Sequence, residues 1–248
     1  MCPRAMEIIF QSNTGLSRDR VVSYLRKLKA DNPHLRVLDI GGAGSPWSVG
    51  VADAYVDIRP VLDLPTIVGD IHDPTTWERI RAGCFDFCIC SHTLEDLRDP
   101  LFVLARIRET FRQGYIAVPS KHVEFSHIES SAYVGYAHHR WIFTLTPDGL
   151  RIIAKFPFAS YFSPRRRPLA RLYASGLANI YRRFRGRGNG LSAIGPLPWW
   201  DSAIAGPHNE LAFIWDGDLE FEAINGDYAG ESPLRLARLY HDDLAPGL

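Results

Sequence analysis

Between residues 36 and 120, five short apolar runs, each with a polar or acidic residue at its last or next-to-last position, alternate with stretches of helical periodicity. The runs are RVLDI, DAYVDI, PTIVGDI, FDFCICS and GYIAVPS. Consecutive apolar residues mean strands covered on both faces, and the helical stretches TWERIRAG and DPLFVLARIRETFRQG supply the covers. Just upstream, LSRDRVVSYLRKLKA repeats apolar residues at helical spacing and reads as an amphipathic helix leading into the first strand. The pattern predicts an α/β fold, a doubly wound and mostly parallel sheet of about seven strands, in one domain over residues 1–248.

Ligands of such sheets sit at the carboxyl ends of the strands. There the sequence places Asp39 with Gly41, Gly42 and Gly44, then Asp57, Asp70, and Ser91 with His92. The glycines permit a tight turn and close approach of a ligand to the backbone. Asp57 follows Asp39 by 18 residues, near the spacing of about 20 at which an acid on the second strand meets ribose hydroxyls in nucleotide-binding folds. Asp73 and Asp99 stand beside prolines and read as helix caps.

With 46% hydrophobic residues in 248, the chain can build its core without covalent staples. Cys88 and Cys90 alternate in an apolar run and read as buried thiols, and no zinc spacing is visible. The first residues lack the apolar core of a signal peptide, so a cytoplasmic location is expected. Charge is balanced overall at 28 basic and 28 acidic residues but is segregated along the chain: residues 165–187 hold eight arginines and no acid. That segment also repeats apolar residues at helical spacing and reads as a basic helical insertion at about 163–207.

Taken in order, VLDIGGAG, AYVDI, IVGDIHD, FDFCICSHTLEDLRDP and GYIAVPS resemble the motif series of class I S-adenosylmethionine-dependent methyltransferases, the methyltransferase type 11-like group in particular. HHRWIFTLTPDGLRIIAKF is similar to a helix that precedes the last hairpin in that family, and NELAFIWDGDLEFEAI to its antiparallel strands six and seven. The resemblance implies a Rossmann-like methyltransferase fold with a C-terminal antiparallel hairpin. It implies S-adenosyl-L-methionine as cofactor, with Asp39, Gly41, Gly42 and Gly44 shaping the methionine-side loop, Asp57 on the ribose, Asp70 and Ile71 facing the adenine, and Ser91 and His92 on the inner wall. Ala43 and Ser45 depart from the family's glycine pattern, and Asp96 stands where the group often has His. Two alternatives remain. One is a nicotinamide-dependent enzyme, for which a third glycine is missing; the other is a non-catalytic, methyltransferase-like binding module.

Residues 120–143, SKHVEFSHIESSAYVGYAHHRWIF, form a His-rich loop at the acceptor side. An alkyl hydroxyl does not ionise at neutral pH unaided, so transfer to oxygen calls for a base or a metal beside it. His138 and His139 are the candidate bases, with His92 as competitor; adjacent residues of an extended segment diverge, so one of the pair is expected to face the pocket. Candidate acceptor-binding residues are His122, His127, Glu129, Tyr136, Arg140 and Trp141, with Arg165 and Arg166 from the basic segment. Tyr133, Tyr136, Trp141, Trp199 and Trp200 offer a stacking wall for a sugar. The expected acceptor is a sugar, glycan or other polar small molecule, anionic if the arginines receive it. A divalent metal held by His122, His127, Glu129 and His138 or His139, with His208 or Glu210, is compatible with the composition but not favoured, since magnesium-like ions prefer carboxylates; no residue is assigned to a metal. Nucleic acid is not expected as a partner, a membrane surface is compatible with the basic helix, and the sequence carries no signal for oligomeric state.

Overall fold

A computed structural model describes residues 4–12, 17–42, 47–61, 64–124, 135–146, 148–155 and 209–223. The basic insertion lies outside these residues, as do Gly44, His127, Glu129, Tyr133, Arg165, Arg166, Trp199, Trp200 and His208.

The chain begins with a strand, β1 (Glu7–Ser12), and helix α1 (Ser17–Asp31). All five predicted runs then appear as strands: β2 (Val37–Ile40), β3 (Ala54–Asp57), β4 (Thr66–Val68), β5 (Phe87–Ser91) and β6 (Gln113–Pro119). They pair in parallel in the order β4-β3-β2-β5-β6. Helices α2 (Pro74–Ala82) and α3 (Pro100–Thr110) follow β4 and β5. Asp73 and Asp99 cap them as expected, accepting from the backbone N–H of Thr75 at 2.9 Å and Phe102 at 3.0 Å.

Alternation along β5 divides the core into two layers. Phe87 and Ile89 pack with Val21 and Leu25 of α1, while Cys88 and Cys90 pack with Trp77 of α2 and Leu104 and Ile107 of α3. Both thiols are fully buried, and burial pushes their pKa up, which leaves them unreactive.

After α4 (Lys121–Glu124), the chain departs from the expectation. Where the resemblance implies a helix, it forms a hairpin of β7 (Trp141–Thr146) and β8 (Gly149–Ala154). Ile142, Phe143, Leu150, Ile152 and Ile153 are all buried, as a strand pair covered on both faces requires. Gly149, at φ +130°, adopts a backbone conformation closed to L side chains and starts the return strand.

A second departure concerns the far edge of the main sheet. β9 (Glu210–Asp216) runs antiparallel to β6 as expected, but its other neighbour is β1, not a strand from the C-terminal side. β10 (Phe221–Ala223) instead joins β8 in parallel, forming a small sheet of order β10-β8-β7. The seventh strand of the main sheet is therefore supplied from the N-terminus, and the expected C-terminal hairpin is divided between two sheets. Among the described residues no helix is long and apolar enough to cross a membrane.

Candidate active site

The ends of β2 and β3 hold the expected cofactor-side acids in two different states. Asp39 is 1% exposed and accepts a hydrogen bond from Ser48 Oγ, whose oxygen also lies 3.1 Å from the Tyr55 hydroxyl. Desolvation lifts its pKa to about 6, against the lowering effects of the Ser48 hydrogen bond and the Arg18 charge. Gly41 follows at φ +82° and donates its N–H to the Val56 carbonyl at 2.8 Å. A Cβ there would fall 2.3 Å from Thr93 Oγ1, so the turn admits only glycine. A Cβ on Gly42 would fall 2.8 Å from Asp39 Oδ2. Asp57 ends β3 half-buried, with one oxygen accepting from Arg59 N at 3.3 Å.

Residues 47–51 form turns where a dinucleotide-binding fold would begin a helix aimed at a pyrophosphate.

Of the two residues expected to face the adenine, Asp70 is 62% exposed. Its pKa is lowered by the backbone hydrogen bond from His72, 2.8 Å long, and by the His72 ring. Ile71 is buried, and its carbonyl takes the Trp77 indole N–H at 2.7 Å.

His92 ends β5 in the left-handed region, φ +52°, an arrangement a non-glycine residue adopts only when its surroundings impose it. They do so through two buried carboxyl groups. Nε2 is 2.8 Å from Glu210 Oε1 and Nδ1 is 3.4 Å from Glu95 Oε1. Burial works against a charge on this ring, but the hydrogen bonds and charges of Glu210 and Glu95 outweigh it and carry the pKa up to about 9. At neutral pH His92 is an imidazolium with no lone pair to offer. The other oxygen of Glu210 accepts from Ser17 Oγ at the start of α1, and Ser17 in turn accepts from the Tyr115 hydroxyl at 2.8 Å. Ser91 Oγ and Glu95 Oε2 are buried with no hydrogen-bond partner among the described residues.

Beside this network, residues 135–140 fold back over the strand ends, clipped by Arg140 N donating to the Glu95 carbonyl at 2.7 Å. His138 lies in a turn and His139 directly follows it, so the pair is not in a regular extended segment. Their rings therefore meet edge to face at 4.5 Å, contrary to the expected divergence. Tyr136 packs on both, at 5.6 and 4.6 Å. His139 is 8% exposed, and its Nδ1 lies 2.6 Å from Glu124 Oε1. Glu124, 1% exposed, spends its second oxygen on Lys155 Nζ at 2.6 Å, and Lys155 also donates to the Tyr136 carbonyl at 2.7 Å. His138 Nε2 is 4.0 Å from Asp96 Oδ1.

Of the other acceptor-side candidates, Trp141 commits its indole N–H to the Leu97 carbonyl at 2.8 Å, Arg140 is exposed, and His122 lies on α4. Glu95, Glu124, Lys155, Ser17 and Tyr115 were not among the candidates. Their only sequence signal is a polar residue in an apolar setting, as in LEDL and KHVEF.

No family model matches the chain, and no curated protein matches its sequence. Among solved structures, a SAM-dependent methyltransferase from Archaeoglobus fulgidus aligns at 13% identity and TM-score 0.39 over 80% of this chain and 94% of its own. The N-terminal domain of EvdMO1 with SAH bound aligns at 10% identity and TM-score 0.34, covering 80% of this chain and 81% of its own. The plantazolicin methyltransferase BpumL in complex with SAH aligns at 12% identity and TM-score 0.36, covering 83% and 86%. The chain's own strand order and directions, five parallel strands followed by an antiparallel neighbour at β6, are those of the Rossmann-like methyltransferase fold, with the N-terminal strand at the outer edge.

Proposed function

We propose that this protein transfers a methyl group from S-adenosylmethionine to an oxygen of a polar acceptor. The observation that carries the reading is a division of labour along one sheet edge. A glycine turn between Asp39 and Thr93, with Asp57 on the next strand, lies on one side. A carboxylate-supported histidine pair lies on the other. Asp57 is suited to the ribose hydroxyls, and the buried Asp39 to the amino end of the methionine part. Ser91, Asp70 and Ile71 complete the cofactor side.

In the reaction the C–S bond of the sulfonium breaks as the new C–O bond forms, leaving a neutral thioether, and the acceptor hydroxyl must give up its proton. His92 already carries one, so its part is to hold positive charge and fix Glu95 and Glu210. Activation of the acceptor falls to His138 and His139, the latter oriented by Glu124 in the manner of a carboxylate-supported base. Tyr136, which lies against both rings, offers an aromatic face, and the arginines of 165–187 offer charge to an anionic sugar or glycan. Incubation with methyl-labelled cofactor and panels of sugars, nucleotide-linked sugars and phosphorylated glycans tests the reading. Label is expected on an acceptor oxygen; cofactor binding without transfer to any of them would favour the binding-module alternative.

A further inference from the structure

Asp96, His138 and His139 bring one carboxylate oxygen and two imidazole nitrogens within 4.8 Å of one another. They come from the turn after β5 and from the segment clipped to it by the Arg140 to Glu95 backbone bond. We propose that these three side chains bind a divalent first-row transition-metal ion. Two imidazoles and one carboxylate are the donor set that such ions accept with coordination positions left open, and it does not suit magnesium or calcium.

The three donors differ in how firmly they are held. His139 is buried, and its Nδ1 contact to Glu124, itself held by Lys155, fixes the ring as the outer partners of metal-binding histidines do. Asp96 and His138 are about half exposed, at 47% and 58%, and stand 4.0 Å apart. A bound ion needs donors at about 2.0 to 2.2 Å from it, hence about 3 Å from one another. Asp96 and His138, both at the surface, are the two that would close on the anchored His139 ring.

The existence of the site does not depend on methyl transfer, but its role rests on that reading. An ion here would take the acceptor oxygen in an open position and acidify its hydroxyl, the proton leaving to water as the oxygen accepts the methyl carbon. His138 and His139 would then act through the ion as ligands instead of taking the proton themselves.

The test uses the full chain stripped with chelator and titrated with Co²⁺, read by calorimetry and by the visible absorption bands of the ion. One equivalent is expected to bind. Asp96→Asn and His138→Ala, both at exposed positions that leave the Glu124 cluster intact, are expected to weaken binding by about 100-fold or more, beyond the 10- to 100-fold loss typical of an outer partner. His34→Ala, at an exposed histidine before β2, should leave it unchanged. No Co²⁺ bound, or binding that survives both substitutions, would overturn the site. Titration of the same samples with S-adenosylhomocysteine separates the two claims. Co²⁺ binding without the nucleoside keeps the metal site and removes its role in methyl transfer; nucleoside binding without Co²⁺ overturns the site and leaves the methyl-transfer reading standing.

Discussion

His92 and Glu210, 118 positions apart, meet at 2.8 Å where the ends of β5 and β9 lie on either side of β6. The contact ties the parallel half of the sheet to its antiparallel edge and, through Ser17, to α1. It also fixes a charge. A group whose folded pKa is raised adds stability that is complete below its unfolded pKa, 6.5 for this ring, and is lost as pH rises through about 9. His92→Gln should therefore cost about 1 to 3 kcal/mol near pH 6 and markedly less near pH 9.5. Urea unfolding of both proteins at the two pH values checks this, and a gap of constant size would contradict it.

Asp39 responds to pH in the same direction, but as a destabilising group at neutral pH where His92 is a stabilising one. Its carboxyl is also raised, from 3.8 to about 6, chiefly by burial. The folded state thus holds its proton more tightly than the unfolded chain, and stability is lost as pH rises between those values. Asp39→Asn removes this penalty, so the ligand-free variant should be more stable than the parent by on the order of 2 kcal/mol at pH 7.5, with the difference gone below about pH 4. The same variant should bind S-adenosylhomocysteine more weakly. Thermal melts and calorimetry on one preparation measure both.

The parallel half of this architecture was legible in the sequence for a simple reason: buried parallel strands are continuous apolar runs, and Asp73 and Asp99 announce their helices beside prolines. β1 was not legible, because Glu7–Ser12 is half-exposed along its length and its partner lies about 200 residues downstream. The β7–β8 hairpin was masked by its likeness to a helix, and only the full burial of Ile152 beside Ile153 shows that both faces are covered. Asp39 and Asp57 stand where motif spacing puts them. Glu124, Lys155 and His139 could not be grouped from sequence, since their meeting depends on a turn at His138 and on a hairpin that sequence reading placed in a helix.

The Tyr115–Ser17–Glu210 chain makes a prediction about coupling. Ser17→Ala leaves a buried carboxylate oxygen short of a donor and should cost about 1 to 3 kcal/mol. Tyr115→Phe should cost less. In the double variant the losses should fall short of their sum by about 0.5 kcal/mol or more, as expected for groups in one network. A double-mutant cycle in urea gives the coupling directly; strict additivity would mean that the three groups act independently.

Contact between the His138 and His139 rings changes the expected outcome of their replacement. Each single Ala variant should lose about 10² to 10⁴ in kcat while keeping cofactor affinity, and the double variant should be little worse than the poorer single one. Full activity in either single variant would show that its ring is not part of the reacting group. Because His139→Ala strips Glu124 of a partner, His139→Gln serves as its folded control.

Most direct of all is a calorimetric titration of the purified chain with S-adenosylhomocysteine, alongside Asp57→Ala. The account predicts one site per chain, weakened in the variant by about 1 to 3 kcal/mol, or roughly 10- to 100-fold, the cost of losing charge-assisted hydrogen bonds to the ribose. A folded wild-type chain that binds no S-adenosylhomocysteine would contradict it.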